Sequence, residues 1–214
     1  HQAGIVKVEK SMDLLDLAAA FSSLPLPQGN RVAIMTLGGG WGVVTADLCA
    51  QYNLVVPPLS QVLIDEIDTL LPPYWSRSNP IDLVGEHDNT LPVTIMEKLL
   101  QWDGCDAVIN LGILGRRILV GHYIKAIEKA DPTYSPDFLN SVKTMLTDFE
   151  RDYITQSVHL MGKNRKPVFG VALLTDASDR TIHQVGDSPW RGVFYTTPEK
   201  AVRTFARMFE YQRF

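Results

Sequence analysis

Gly38, Gly39, Gly40 and Gly42, four glycines within five positions around Trp41, are the residues of this chain best placed to do chemistry. The apolar run Val32-Ala33-Ile34-Met35 with Thr36 precedes them, as in a strand covered on both faces. A helix follows from Trp41. Its first N–H groups would carry no shielding side chains. A bare helix N-terminus offers unpaired donors and the positive end of the helix dipole, which suits a phosphate or a carboxylate. A Walker A loop needs Gly-Lys-Ser or Gly-Lys-Thr at its end, and neither is present. Gly38 and Gly40 start a dinucleotide fingerprint, but Val43 holds the third glycine's place. Pro57, not an acid, follows Val56 where a ribose reader is needed. The turn reads as an anion site, Gly38, Gly39, Gly40, Trp41 and Gly42, without the marks of a nucleotide site; the other reading is a glycine-rich turn that only permits tight strand–helix packing.

Three further groups are weighed against it. Arg116 and Arg117 follow a third strand at 106–111 and could clamp an oxyanion in bidentate fashion beside the glycine turn, or stand solvated in a loop. Asn79 and Asp82 flank Pro80 in the long stretch 74–89; ordinary turn chemistry accounts for both, and supporting the anion is the alternative. The histidines His1, His87, His122, His159 and His183 have no partners at metal spacing, and Glu86-His87-Asp88 reads as a solvated triplet. There is no G-x-S-x-G and no evident nucleophile, so no catalytic residue and no metal site is assigned within the chain.

The elements that position these groups alternate. Segment 4–9 reads as an edge strand. Ser11 caps a helix with Leu14, Leu15, Leu17, Ala18 and Phe21 on one apolar face. After strand 31–36 and helix 41–52, Leu54-Val55-Val56 reads as the second strand, stopped by Pro57-Pro58. Helices at 60–71 and 90–102 surround the long loop. Beyond strand 106–111 come a helix at 118–130 and, from Ser135-Pro136, a long helix with Phe138, Val142, Met145, Phe149 and Tyr153 as its apolar stripe. Strand 167–174, a weak helix at 176–186, strand 192–195 and a last helix from Thr197-Pro198 complete the chain. This alternation predicts an α/β fold: a flavodoxin-like, Rossmann-like parallel sheet of five strands in the order 2-1-3-4-5. Helices cover both faces, and an extra helical hairpin lies between strands 3 and 4. In that order the 38–42 turn and the 112–117 loop share one crevice.

The totals are those of an ordinary globular domain: 214 residues, 45% hydrophobic, 21% charged. A formal net charge of −4 gives no electrostatic reason to bind nucleic acid. No apolar run reaches the roughly 18 residues a membrane span needs, and no signal peptide is visible. Cys49 and Cys105 lack CxxC spacing and read as buried free thiols in a reducing, cytoplasmic setting. The chain opens on His1, as a trimmed piece of something longer would.

Several motifs together resemble one family. Leu26-Pro27-Gln28-Gly29-Asn30-Arg31-Val32-Ala33-Ile34 and Gly39-Gly40-Trp41-Gly42-Val43 come first, the latter followed by Thr45-Ala46-Asp47. Leu71-Pro72-Pro73, Asn79-Pro80-Ile81-Asp82 and the closing Thr197-Pro198-Glu199-Lys200-Ala201-Val202 and Tyr211-Gln212-Arg213 follow in matching order. The set resembles the second flavodoxin-like subdomain of NDP-forming acyl-CoA synthetases, the group of ADP-forming acetyl-CoA synthetase, related to succinyl-CoA synthetase. Gln2-Ala3-Gly4-Ile5 looks like the seam after the neighbouring subdomain. Segment 113–162 has no match.

The resemblance implies an acid–thiol ligase in which a phosphorylated histidine of the neighbouring CoA-binding subdomain shuttles to an ATP-grasp domain in the same or another chain. The glycine-rich helix would hold the phosphohistidine through the N–H groups of Gly39, Gly40, Trp41 and Gly42. It also implies that residues 1–214 form one subdomain on which 1–24 pack, with CoA and ATP or ADP with Mg used by the complete enzyme and none bound directly here. A homo-oligomer is compatible with it; nucleic acid and membrane are not among the partners. Leu37 and Trp41 depart from the asparagine and proline common at those places. Two other readings stay open: a non-catalytic regulatory or scaffold module in an acetyltransferase or similar fusion, and a small phospholigand- or flavin-binding protein.

Overall fold

A computed structural model describes residues 5–8, 10–85, 88–131, 133–177 and 179–213. Its centre is a strand with no exposed residue, β1 (Val32–Thr36), paired in parallel with β3 (Ala107–Leu111) along its whole length. β3 pairs with β4 (Val168–Val171), and β4 with β6 (Arg191–Tyr195), again in parallel. These strands are apolar runs because helices cover both faces. The start of the β1–β3 pair is tied by Arg31. Its backbone N–H donates to Asp106 Oδ2 at 3.0 Å, and its guanidinium grips the same carboxylate at 2.9 and 2.8 Å.

The sheet is larger and less uniform than five parallel strands. It has six, in the order β2 (Ile81–Asp82), β1, β3, β4, β6 and β5 (Ile182–Gln184). Residues 54–56 are not the second strand. Only Val55 reaches β1, as an isolated bridge to Arg31. The edge place belongs to β2 (Ile81–Asp82), from the long loop, paired with Met35 and Thr36. Pro57-Pro58 explains the change: proline cannot donate to a ladder, so that segment leaves β1 after one bridge. The segment expected as a weak helix at 176–186 instead holds β5 (Ile182–Gln184), the antiparallel member on the far edge. Residues 5–8 form no strand; Gly4 and Glu9 lie outside the described residues.

On one face, α7 (Pro198–Gln212) packs between α1 (Ser11–Phe21) and α2 (Gly39–Gln51). On the other lie α3 (Gln61–Asp68), α4 (Leu91–Gln101) and α6 (Pro136–Asn164), tied by Lys98–Glu66 at 2.7 Å and Lys163–Glu97 at 3.1 Å. The helical hairpin between β3 and β4 forms as expected: α5 (Arg116–Ala130) lies on α6.

Two helices turn different faces inward from those their apolar spacing favours. In α1, Leu14 and Leu15 are exposed while Asp13 and Asp16 are buried. The cause is on α7, whose Arg203 meets Asp13 at 2.8 Å and whose Lys200 meets Asp16 at 3.4 Å; the Tyr195 hydroxyl also donates to the Asp16 carbonyl at 2.9 Å. In α6, Leu139, Leu146, Glu150 and Tyr153 are buried, whereas Phe138 and Met145 of the expected stripe are exposed.

Candidate functional site

The glycine turn lies at the C-terminal end of the central strand, where β1 gives way to α2. Gly38 is the N-cap residue, extended at φ −152°, and no side chain caps the helix. Thr36 sets the turn's shape: its hydroxyl donates to the Gly38 carbonyl at 2.9 Å and accepts from the Gly38 N–H at 3.1 Å. The Trp41 N–H turns back to the Gly38 carbonyl at 3.1 Å, and Gly42 N–H approaches the same oxygen at 3.5 Å. Gly39 and Gly40 therefore hold the N–H groups without a partner among the described residues. The unpaired amides are fewer than the four read from the sequence. They lie in the first turn of a helix with its dipole behind it.

The glycines serve different ends. At Gly42 an added Cβ would stand 3.0 Å from Pro80 and 3.2 Å from Thr36, so glycine there lets α2 press against the edge segment. At Gly38 a Cβ would meet nothing within 4 Å, and at Gly40 nothing beyond its chain neighbours. Neither has a positive φ. Packing and backbone conformation leave both positions open to other residues; what glycine adds there is access to the bare amides. Trp41 is half-buried against the core, and its ring does not come within 4 Å of a Cβ at Gly38. Leu37 is half-buried, with its N–H donating to the Leu111 carbonyl at 3.2 Å.

Asn79 and Asp82 reach this end of the sheet in different roles. Asn79 is inserted into the free edge of β1, between the Val55 bridge and β2. Its Oδ1 accepts from the Ile34 N–H at 2.9 Å, and its Nδ2 donates to the carbonyls of Val32 at 3.0 Å and Pro57 at 3.1 Å. It touches the strand, not the glycine turn. Asp82 does meet the turn. Its Oδ1 accepts from Val84 N–H at 2.9 Å, while Oδ2 lies 2.9 Å from the place of a Gly39 Cβ. A carboxylate thus borders the unpaired amides.

Arg116 and Arg117 do not join the turn. Gly112 touches Leu37, but the chain then crosses toward β4: Gly112 N–H donates to the Val171 carbonyl, and Leu173 N–H to that of Leu114. Gly115, with φ +86°, lies against the Leu173–Leu174 backbone where a Cβ would be 2.3 Å from the Leu174 oxygen. The guanidinium of Arg116 lies over the Phe149 ring at 5.7 Å. That of Arg117 is enclosed by carboxylates: Glu150 at 3.3 Å, Asp176 at 3.7 Å, and Asp179. Its N–H also donates to Glu150 at 3.0 Å. An arginine so surrounded has no fork left for an incoming oxyanion. Burial raises the Glu150 carboxyl above its ordinary value, and the Arg117 hydrogen bond and charge offset this only in part.

This cluster lines a separate cavity of about 270 Å³ under β5, with His183 and Phe194 in its wall. Burial lowers the His183 imidazole below its ordinary value. Sequence reasoning missed this cluster because its members come from positions 117, 150, 176 and 179, and no local spacing links them.

His122 and His159 are exposed on α5 and α6, and His1, Glu86 and His87 lie outside the described residues. Among the described residues no group of His, Cys, Asp and Glu is arranged to hold a metal ion, and no helix is long and apolar enough to cross a membrane. Cys49 and Cys105 are both buried and unpaired, and burial pushes the Cys49 thiol up to about 12.

No protein-family model matches the chain. Its curated relatives are ADP-forming CoA ligases. Over 210 residues it is 26% identical to the 4-hydroxybutyrate–CoA ligase [ADP-forming] of Nitrosopumilus maritimus, covering 98% of this chain and 25% of that protein. Over 113 residues it is 34% identical to the acetate–CoA ligase [ADP-forming] II subunit alpha of Pyrococcus furiosus, covering 53% of this chain and 24% of that subunit. The chain thus spans about a quarter of the length of these relatives. Among solved structures, the dinucleotide-forming acetyl-coenzyme A synthetase 1 of Ca. Korarchaeum cryptofilum, in complex with phosphate and ADP, matches 99% of this chain and 39% of its own. The TM-score is 0.65 at 21% identity, a likeness of fold.

Proposed function

We propose that residues 1–214 are one flavodoxin-like subdomain of an ADP-forming acyl-CoA synthetase. In this reading the N-terminus of α2 stabilises a phosphoryl group carried by the histidine of a neighbouring subdomain. The observation that carries it is the pair Gly38 and Gly40. Neither is demanded by φ or by packing, and a side chain at either would adjoin the unpaired amides of Gly39 and Gly40. The likeness to ADP-forming CoA ligases supports reading that anion as a phosphoryl group.

The work is electrostatic. In phosphoryl transfer there is little covalent chemistry for the protein to do, and preorganised donors aimed at the developing charge supply much of the catalysis. Gly39 and Gly40 provide two such donors, and the helix adds about half a positive charge behind them. Thr36 holds the Gly38 peptide in place, so no reorganisation is needed when the anion arrives. Asp82 opposes a bare dianion at the same amides. The phosphoryl therefore approaches from the open side of Gly38 and Gly40, away from Oδ2. The shuttling histidine, the CoA-binding domain and the ATP-grasp module come from other domains of the same or another chain. CoA, ATP or ADP and Mg belong to that complete assembly.

The test is titration of the isotope-labelled chain with inorganic phosphate, followed by amide NMR. Saturable shifts centred on Gly39 and Gly40 are expected, together with no acyl-CoA formation from ATP, CoA and acetate. Unmoved amides at these two residues would refute the anion site, and turnover by this chain alone would refute the subdomain role.

A further inference from the structure

α6 carries two apolar stripes; one is covered, and on the second only Phe149 is partly covered, by the Arg116 guanidinium over its ring. Leu139, Leu146 and Glu150 share the face beneath α5, where Glu150 accepts from the Arg117 N–H. The second stripe faces an open groove of about 820 Å³ between α6 and the start of α4, with Val93, Met145 and Phe149 in its floor and Asp148 and Asp152 beside them. Met145 is 52% exposed, and Phe138, one helical turn before Ser141 at the groove's end, is 56% exposed. The acids are not balanced. Arg151 reaches Asp148 at 2.9 Å and Asp152 at 3.7 Å, which leaves two carboxylates to one guanidinium.

α5 is the complementary object. None of its 15 residues is fully buried, although the half-buried Val120, Ile124 and Ile127, at steps of four and three, make one side apolar. The next stripe presents Tyr123, 57% exposed, with Ala126 and Ala130 exposed on it, and Lys125 and Lys129 flank it on the side away from Ile124. Neither lysine has an ion pair among the described residues. Lys125 and Lys129 are one helical turn apart, and so are Asp148 and Asp152, a separation of about 6 Å in both helices.

We infer that the groove takes α5 of a second copy of this chain. Tyr123 and Ala126 of one copy lie over Met145 and Phe149 of the other, and Lys125 and Lys129 stand opposite Asp148 and Asp152. The exchange is reciprocal, so two hairpins close a four-helix arrangement about a two-fold axis with no surface left to propagate. The two helices fit by charge: Lys125 and Lys129 outnumber Glu128 on the exposed part of α5, while the groove wall carries Asp148 and Asp152.

Sedimentation velocity over a concentration series tests this with the whole 214-residue chain. The wild type is expected to form a reversible dimer. Lys125→Glu with Lys129→Glu should raise its dissociation constant about tenfold or more, and so should Asp148→Lys with Asp152→Lys. All four on one chain restore opposite charges across the interface and should return the constant toward wild type. The altered side chains lie on helix surfaces, and circular dichroism verifies that each variant folds. A wild type that stays monomeric throughout overturns the inference, including one that gains mass only with a different protein. So does either double reversal with an unchanged constant, or a quadruple variant that fails to recover.

Discussion

The side-chain amide of Asn79 does for Ile34 what a neighbouring strand does elsewhere in the sheet. Its Oδ1 accepts the Ile34 N–H at 2.9 Å, and its Nδ2 returns a bond to Val32 at 3.0 Å. β1 needs this because its edge is covered in pieces. Val55 serves the start of the strand and β2 the end, with a gap at Ile34. Ile34 is fully buried, so an unpaired N–H there has no water to turn to.

Asn79→Ala leaves that N–H and the Val32 carbonyl without their partner. At about 1–3 kcal/mol for a buried unsatisfied group, a loss of about 3 kcal/mol is expected, measured as a lower urea midpoint with an unchanged slope. Asn79→Asp keeps an acceptor but turns a carboxylate oxygen toward two carbonyls, and should cost at least as much.

Gly40→Ala and Gly42→Ala should part company. At Gly42 the new methyl meets Pro80 and Thr36, and a loss of about 1–3 kcal/mol follows from overpacking. At Gly40 the methyl enters open space, and alanine's better helix propensity should stabilise the chain by about 0.5 kcal/mol. The same methyl crowds the exposed amides, so phosphate should bind several-fold more weakly to the more stable variant. Thermal melts and phosphate titrations of both proteins check this; equal phosphate affinity in Gly40→Ala and wild type would count against the anion site.

Asp82→Asn removes the charge beside Gly39 and keeps an oxygen for the Val84 N–H. A like charge within several ångströms of a surface site costs a bound anion about 1 kcal/mol, so the variant should bind phosphate about fivefold more tightly. The gain should shrink as salt is added, because the interaction is screened.

Glu150 sets a pH dependence of definite sign. Its folded pKa lies above the ordinary 4.5. The folded state therefore holds the proton more tightly than the unfolded chain. The stability this group contributes is fully present below 4.5 and is lost as the pH rises through the folded value. Wild type measured against Glu150→Gln should be relatively most stable in acid and decline toward neutral pH. A difference that is flat with pH, or rises with it, would contradict burial as the dominant effect.

Much of this protein was legible in its residue order. Largely apolar runs at 32–36, 107–111, 168–171 and 192–195, with Thr36 and Asn110 as buried polar exceptions, mark the central strands, because a strand covered on both faces leaves water along its whole length. The bare N-terminus of α2 is visible wherever glycines follow such a strand, and the relatives agree with the family resemblance those motifs carry. These signals are local, each resting on neighbours a few residues apart.

What the tertiary structure decided are the pairings between distant positions. Val55 looks like a strand and makes one bridge; Ile81 and Asp82 look like a loop and make the edge, because a two-residue strand has too little pattern to announce itself. Arg117 reads as either an oxyanion clamp or a solvated loop arginine, and is neither once Glu150, Asp176 and Asp179 are seen around it. α1 turns its aspartates inward because Lys200 and Arg203 wait on α7, nearly the length of the chain away. In each case a charge or an unpaired backbone group was satisfied by a partner that only folding brings near. Apolar periodicity records which residues leave water, but not which partner a polar group meets once it has left.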